Sequence, residues 1–404
     1  MNDSKNNTGF IAVLKREINR MISRRIYFGA TIILPLFCIF FMSTIFNNGQ
    51  MENIPIGVVD LDQTAASRSV IRNVSATPIV EITHRYSNQA NARTATQAKE
   101  IYGYLVIPHN FEQNVMDGKQ TSLEYYYHYA LLSVGGEVLG AFETVLQPLS
   151  AVQIMSKATA MGIDPKQTTT FIAPMLENSN PLFNPGMDYS IYLSNPFFFV
   201  FLQILILLTT VYSVGIEKKK QTAENWLKTA GGNIYIAVFG KLLPYTVIYS
   251  VMAIFGNYVM FGLLNIPFSC GFFPLNLSSI LLVIASQALG LFIYSLFPVM
   301  GIIISIVSMV GSLGATLCGV TFPTPEMFPI VHYASYLFPI RHFVLINQNL
   351  LYGDYGFAYT WQNYVYLIVF IVPMLLVLPL LRHSIVNHTF ESFVSKGQPD
   401  ENEE

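Results

Sequence analysis

The stretch Pro196–Ile216 decides the fold of this chain, and it reads PFFFVFLQILILLTTVYSVGI without a charged residue. A helix needs about 20 apolar residues, each rising 1.5 Å, to cross the hydrocarbon core of a bilayer. The whole chain has the same bias, because only 11% of its residues are charged, whereas soluble domains carry about 25%. The sequence therefore predicts an integral membrane protein.

Other segments have the length and composition of membrane spans. They run over Tyr27–Phe46, Lys241–Leu264, Leu277–Phe297, Val299–Val320 and Tyr364–Leu381. Residues 27–46 thus hold the first span, and residues 196–384 hold the remaining five. The predicted fold is an α-helical polytopic membrane protein with six transmembrane helices, an inserted extracytoplasmic α/β domain and a re-entrant helical segment.

Lysine and arginine near the span ends predict the orientation, because they favour the cytoplasmic side. They cluster in residues 15–25 and 218–228 and recur at Arg382, whereas the loop 265–276 has none. With six spans these clusters fall on one side, which predicts a multi-pass protein of the inner (cytoplasmic) membrane with both termini in the cytoplasm. Residues 385–404 then form a cytoplasmic tail.

Residues 1–26 contain an amphipathic pattern. Phe10, Leu14, Ile18 and Ile22 share one face, and the basic residues lie elsewhere. The pattern favours a helix in the cytoplasmic interface, with its cations near anionic lipid head groups. The alternative is a basic flank that only sets the topology.

Residues 47–195, between the first two spans, predict an extracytoplasmic α/β domain. Strand-like runs at Pro55–Asp60, Ile79–Ile82, Ile101–Ile107 and Ser122–Tyr127 alternate with helix-like runs, as in a small sheet with crossover helices. The period becomes helical from about residue 131 to 161 and predicts one or two helices that pack on the sheet. Asp60 and Asp62 end a strand, where a turn or helix-cap role is favoured over a metal site.

Residues 321–351 are apolar but broken by proline. Pro323, Pro325, Pro329 and Pro339 leave pieces too short to cross a bilayer. They predict a re-entrant segment, which requires protein or water to shield its loose backbone. Arg341 within it is expected near the outer interface or in a wet vestibule, bonded to carbonyls or to Glu326, because a charge at the bilayer centre is costly. Snorkelling to the interface is the alternative.

The sequence lacks the motifs that nucleotide binding and zinc-dependent catalysis use. No phosphate-binding G-x-x-x-x-G-K-[ST] loop and no H-E-x-x-H zinc motif occurs, so no catalytic, cofactor-binding or metal-binding residues are predicted. A net charge of −2 argues against a nucleic-acid partner. The predicted spans hold almost no ionisable residues, which disfavours an ion-coupled secondary transporter.

The loop after the second span is the most informative stretch. Residues 217–231 read EKKKQTAENWLKTAG, and residues 217–229 predict a short amphipathic helix pinned between two membrane helices. Such a helix can move the spans if a cytoplasmic partner pushes on it. An ordinary basic loop that only obeys the charge rule is the other interpretation.

At this loop the sequence resembles the membrane subunits of type-two ABC exporters, in the branch with a large extracytoplasmic domain. The resemblance assigns coupling to the ATPase to Glu217, Lys218, Lys219, Thr222, Glu224, Leu227 and Lys241. Lys218 replaces an arginine of the family pattern, Lys219 an acid and Gln221 a glycine. These departures bear on the charge pairing with the ATPase.

Further motifs follow in the family order. They are IGVVDLD at Ile56–Asp62, YLVIPHNF at Tyr104–Phe111, GKLLPY at Gly240–Tyr245, and a re-entrant segment marked by Pro323, Met327, Pro329, Pro339 and Arg341. The resemblance therefore covers nearly the whole chain in order.

The resemblance implies a non-catalytic permease that forms the transmembrane pathway of an exporter as a dimer with a second copy or a paralogue. Separate cytoplasmic ABC ATPase subunits would hold the ATP and Mg. A periplasmic membrane-fusion adaptor and an outer-membrane channel are further partners of the family in double-membrane bacteria, beside membrane lipid. The rival interpretation from another class is a membrane-anchored receptor or scaffold that binds its ligand through residues 47–195.

Overall fold

A computed structural model describes residues 8–46, 49–117, 119–160, 184, 188–353 and 357–388. The chain divides into two compact units. One holds residues 1–47 and 188–404, and the other holds residues 48–187. The predicted tail, 385–404, lies outside the described residues from 389 onward.

Six helices of the first unit are long and apolar enough to cross a membrane, as predicted. We name them α2 (Arg25–Ile45), α7 (Ser190–Lys219), α9 (Ile234–Leu263), α10 (Phe272–Leu296), α11 (Met300–Leu317) and α14 (Phe357–Val386). Several contain π-helical turns, at Gly29–Ile33, Ser190–Ser194 and Tyr258–Leu263. The prediction began the third span at Lys241, but α9 begins seven residues earlier, at Ile234, where the side chain of Asn233 caps the helix by accepting from the backbone N–H groups of Tyr235 and Ile236.

Shorter helices complete this unit. They are α1 (Phe10–Ser23), α8 (Ala223–Thr229), α12 (Pro329–Ser335) and α13 (Pro339–Gln348), with a π-helical turn at Asn349–Gly353 and a 3₁₀ turn at Thr324–Glu326. Pro329 and Pro339 each occupy the first position of a helix. Proline suits that position because its fixed φ is helical and its missing N–H would have no partner there. The prolines of 321–351 therefore start helices as well as separating them.

Buried amides tie four helices of this unit together. Asn195 of α7 donates to Asn257 of α9 at 3.1 Å and accepts from Asn347 of α13 at 2.9 Å. Asn257 in turn donates to Ser279 of α10 at 3.0 Å. Polar side chains that bond across membrane helices fix their register, since each would otherwise be unsatisfied in an apolar setting.

The second unit contains a four-stranded sheet, as the alternating pattern predicted. Its strands are β1 (Ile54–Asp60), β2 (Val80–Arg85), β3 (Gly103–Ile107) and β4 (Glu124–Tyr127), in the order β2-β1-β3-β4. Strand β1 is parallel to β2 and β3, and β4 is antiparallel to β3. Helices α3 (Ala65–Ser75), α4 (Gln89–Gln97), α5 (Phe111–Met116) and α6 (Leu132–Ala160) surround it.

The two faces of this sheet carry separate cores. Val70 and Phe142, from α3 and α6, pack with Val58 on one face. Ala92 of α4 packs with Tyr104 on the other face. The sheet is therefore the middle layer of a small α/β fold, as expected for helices that connect parallel strands.

Asp60 and Asp62 act as caps at the end of β1. Asp62 accepts hydrogen bonds from the backbone N–H groups of Phe111 and Glu112, at 2.9 and 3.0 Å, and so caps helix α5. Burial alone would raise the pKa of Asp62, but the hydrogen bonds from Thr64 and from these backbone amides hold that pKa below its usual value. Among the described residues, no group of His, Cys, Asp and Glu is arranged to hold a metal ion.

Replacing Asp62 with alanine should lower the stability of this unit by about 1 kcal/mol, the usual cost of a lost helix cap. Because the pKa of Asp62 is lower in the folded state than the unfolded value of about 3.9, its contribution is present above that pH. It is lost as the pH falls through the folded pKa. Denaturant unfolding of both proteins at pH 7 and near pH 3 measures the difference. The exposed Asp117 of the same unit gives a control variant, Asp117→Ala. Equal losses at the two pH values would contradict the assignment.

Candidate functional site

Five ionisable side chains from α1, α7 and α9 meet inside the helical unit. They are Arg16, Glu17, Arg20, Glu217 and Lys241, and we call them the charge cluster. Glu17, Glu217 and Lys241 are buried. Buried charges are stable only when they are paired and hydrogen-bonded, so the geometry of the cluster explains how these groups are accommodated.

Helix α1 reaches the cluster because α9 offers it a glycine. A Cβ atom added at Gly240 would lie 3.0 Å from Cβ of Val13 and 3.2 Å from the carbonyl oxygen of Phe10. Only a residue without a side chain allows the two helices to approach so closely. Gly240 therefore brings the buried face of α1 against the neighbouring Lys241.

Glu217 is the centre of the cluster. The guanidinium of Arg16 donates to both of its carboxylate oxygens, each at 2.8 Å. Arg20 and the hydroxyl of Thr222 also donate to it, and Nζ of Lys241 lies 2.8 Å from Oε1. Charge-assisted and bidentate bonds of this kind are about twice as strong as neutral ones.

Glu17 completes the cluster from the side of α1. It accepts hydrogen bonds from Nζ of Lys241 and from the hydroxyl of Tyr245, the latter at 2.7 Å. Lys241 thus bridges the carboxylates of Glu17 and Glu217, which are far apart in the sequence. The cluster joins α1 to the ends of α7 and α9.

The short helix α8, between α7 and α9, is fastened beside the cluster. Trp226 is fully buried, and its Nε1 donates to the carbonyl of Ala237 at 3.2 Å. Nζ of Lys241 lies 5.4 Å from the centre of the Trp226 ring, a distance at which a cation and an aromatic face attract. Leu227 is buried in the same apolar contact. These contacts pack α8 closely against α9.

Residues 25–378 match the family described as ABC-2 family transporter protein, a stretch that runs from the start of α2 into α14. The chain belongs to the ABC-2 family of transporter proteins. A search of curated proteins finds no match to this chain.

As a member of this family, the ABC-2 permease is a membrane component that takes part in membrane transport. The family also implies an ABC ATPase as its partner. An ABC ATPase partner also bears on α8, the helix that the sequence predicted to couple the permease to its ATPase. The side chains named for that role fall into a buried set and an exposed set.

The buried set of the permease consists of Glu217, Lys218, Leu227 and Lys241. Sequence reasoning placed Glu217 and Lys218 on a face that a partner grips, but their side chains point inward in this chain. Lys218 donates to Ser384 of α14 at 2.7 Å. These buried side chains bond within the helical unit and do not lie on its surface.

The exposed set lies on the outer side of the same loop. Lys219 is exposed, and Glu224 is half-exposed. Glu224 pairs with Lys228 one turn further along α8, at 3.4 Å, and with His388, at 2.9 Å. Together these side chains give the permease a polar surface of mixed charge at α8.

Thr222 lies at the N-cap position of α8, but its hydroxyl makes no capping bond. The hydroxyl donates to the carboxylate of Glu217, a charge-assisted hydrogen bond that is stronger than a neutral one. Thr222 therefore ties the start of α8 to the charge cluster.

The residues of the predicted re-entrant segment make no hydrogen bond or ion pair with the cluster among the described residues. Pro323, Met327, Pro329 and Pro339 flank the short helices of this segment. Arg341 is only 3% exposed, and its guanidinium carbon lies 3.7 Å from the centre of the Tyr336 ring. Arg341 makes no ion pair with Glu326, one of the partners expected for it, among the residues described, and its guanidinium stacks on Tyr336.

Sequence reasoning missed the part that α1 plays in this permease. It assigned Arg16 and Arg20 to lipid head groups, but they bond Glu217, and Glu17 was not singled out. The exposed apolar side chains of α1 include Ile11 and Ile22, together with Phe10 and Ile18. The available signal was Lys241 at the start of an apolar span, since such a lysine requires a counter-ion.

Proposed function

We propose that this ABC-2 permease is the membrane subunit of an ATP-driven exporter and that a separate cytoplasmic ATPase drives it through α8. The observation that carries the proposal is the charge cluster, which joins α1 to the ends of α7 and α9, with α8 fastened beside it by Trp226 and Thr222. The chain itself hydrolyses nothing in this proposal, and ATP and Mg are held by the partner ATPase.

The ATPase would contact the exposed set, Lys219, Glu224 and Lys228. Closure of two ATPases on ATP would push α8. Trp226 and Glu217 then pass the displacement to α7 and α9, because these buried contacts leave α8 little freedom to move alone. A tilt of the two spans would open the path for cargo.

The second permease copy, or a paralogue, would pack along α11. This helix exposes a row of residues at helical spacing in which Gly301, Ser305, Ser312 and Thr316 are small and Met309 is the one large side chain. The hydroxyls of Ser312 and Thr316 bond carbonyls of their own helix, at 3.0 and 3.3 Å, so they need no partner across an interface. Small residues let membrane helices approach closely, which supports a dimer with its pathway beside α11.

The proposed location is the inner membrane, with both termini in the cytoplasm and residues 48–187 outside it. The predicted segment 321–351 would enter and leave the outer part of the membrane as short helices. A periplasmic adaptor of the membrane-fusion type, where one is used, would bind the unit formed by residues 48–187 and connect it to an outer-membrane channel.

Reversing the charges of Lys219 and Lys228 to glutamate should weaken binding of the ATPase by about tenfold, equivalent to about 1.4 kcal/mol. Both side chains are exposed, so the fold should not change, while complementary charge at the interface is lost. Binding of the purified ATPase and ATP-dependent efflux from vesicles measure the effect.

Lys119→Glu, an exposed lysine of the other unit, is the matched control and should bind normally. Efflux that proceeds without the ATPase would reject the exporter proposal. A protein that binds its ligand through residues 48–187 but moves nothing would favour the receptor interpretation.

A further inference from the structure

A cavity of about 420 Å³ lies between α1, α9, α10 and α14, apart from the charge cluster. Its walls are almost entirely apolar and include Phe10, Phe239, Leu243 and Met374. Phe10, Phe239 and Leu243 are each more than one-third exposed, so the mouth of the cavity opens at the surface of the helical unit. No ionisable side chain lines it among the residues described.

One buried amide belongs to this cavity and has an unused hydrogen-bonding end. Gln287 of α10 is only 4% exposed and lines the cavity. Its Oε1 lies 2.7 Å from the hydroxyl of Thr246, which also bonds the carbonyl of Leu242. Its Nε2 has no partner in the described part of the chain. Buried polar groups are nearly always hydrogen-bonded, so this donor is available to a partner from outside the chain.

We propose that this cavity binds an uncharged, largely apolar small molecule with one hydrogen-bond acceptor, such as a carbonyl oxygen, which Nε2 of Gln287 engages. The apolar walls hold the body of the ligand. The absence of ionisable groups among the described lining residues excludes a charged ligand, because its charge would be unpaired.

The depth of Gln287 distinguishes this ligand from a membrane phospholipid. Gln287 lies near the middle of α10, which spans Phe272–Leu296. A lipid head group and its ester carbonyls stay at the edges of the hydrocarbon core, so they do not reach that depth. The ligand is thus a molecule dissolved in the apolar layer, and its site does not include the exposed side chains proposed to contact the ATPase.

Benzophenone is a suitable probe because it is uncharged and apolar, has one carbonyl acceptor, and inserts into nearby C–H bonds when irradiated. The full-length protein in lipid nanodiscs is irradiated with benzophenone, and the adducts are mapped by mass spectrometry. We expect adducts concentrated in the α9 and α10 peptides that line the cavity. Fluorenone should compete with this labelling about fivefold better than fluorene, which lacks the carbonyl.

Two variants make the test specific. Gln287→Leu should abolish the preference for fluorenone. Leu243→Trp should fill the mouth of the cavity and reduce its labelling to background, and its side chain is partly exposed, so folding is not at risk. Val247→Trp, on the same helix at an exposed position outside the lining, is the control and should label normally.

Labelling spread evenly over the lipid-facing helices and unchanged by Leu243→Trp would overturn the proposal. Equal competition by fluorenone and fluorene in the unmodified protein would also overturn it, because the role of Gln287 would then be lost.

Discussion

Replacing Glu217 with glutamine should lower the free energy of unfolding of the permease by about 3–5 kcal/mol, the usual cost of breaking a buried ion pair from one side. Glu217 accepts bonds from Arg16, Arg20 and Lys241. When the charge of Glu217 is removed, Glu17 is the one remaining carboxylate of the cluster for these three cations. Denaturant unfolding in detergent micelles measures the loss.

Lys241→Met should cost less than Glu217→Gln, although both side chains are fully buried. Removing this lysine leaves two arginines with two carboxylates, so the charges of the cluster balance. The double variant should be more stable than the sum of the single losses predicts, because the two sites are in contact.

Glu224→Gln is the control for these variants, since its carboxylate is nearly half exposed and exposed pairs contribute about 0–1 kcal/mol. A Glu217→Gln protein as stable as the Glu224→Gln protein would show that the cluster does not hold α1 and α7 together.

Replacing Trp226 with alanine should destabilise the protein by about 3–5 kcal/mol, as the loss of a large buried aromatic side chain does. It should also abolish ATP-dependent transport in the proposed exporter. The indole fills the space between α8 and α9, bonds the carbonyl of Ala237 and lies near Lys241. Without it α8 can move and leave the spans in place.

Trp226→Phe separates the two roles, because it keeps an aromatic face and loses the Nε1 donor. It should retain most of the stability and part of the transport. Trp361→Ala, at a half-exposed position on α14, is the matched control and should change little. Thermal melting and efflux are the two measurements. Normal efflux by Trp226→Ala would contradict a coupling role for α8.

The spans could be predicted because hydrophobicity is a local property. A run such as Pro196–Ile216 must leave water whatever surrounds it, and α7 confirms it. The strands of the α/β unit were accessible for a similar reason, since apolar runs such as PIGVVD at 55–60 are bounded by turn residues. Element ends were less accessible, as the early start of α9 illustrates.

The charge cluster could not be predicted because it depends on partners far apart in the sequence. A charge such as Glu217 has the same local pattern whether it faces a partner protein or a buried lysine. Amphipathicity placed α1 beside the membrane, but it did not distinguish lipid from protein as the neighbour of Arg16 and Arg20. Arg341 shows the same limit, because nothing in the local pattern favoured Tyr336 over Glu326.

The contact between Glu17 and Lys241 also has a consequence for how the chain is made. The two residues are separated by 224 positions, and ribosomes add about 5–20 residues per second. Glu17 is therefore synthesised roughly 10–45 s before Lys241 emerges, and the intervening α/β unit must be translated in that interval. During this time the carboxylate has no lysine and stays in water. The fold of the permease is thus completed only when α1 contacts a lysine that is translated much later. A bulky fusion on the N-terminus should delay this contact and expose the incompletely folded chain to membrane quality control.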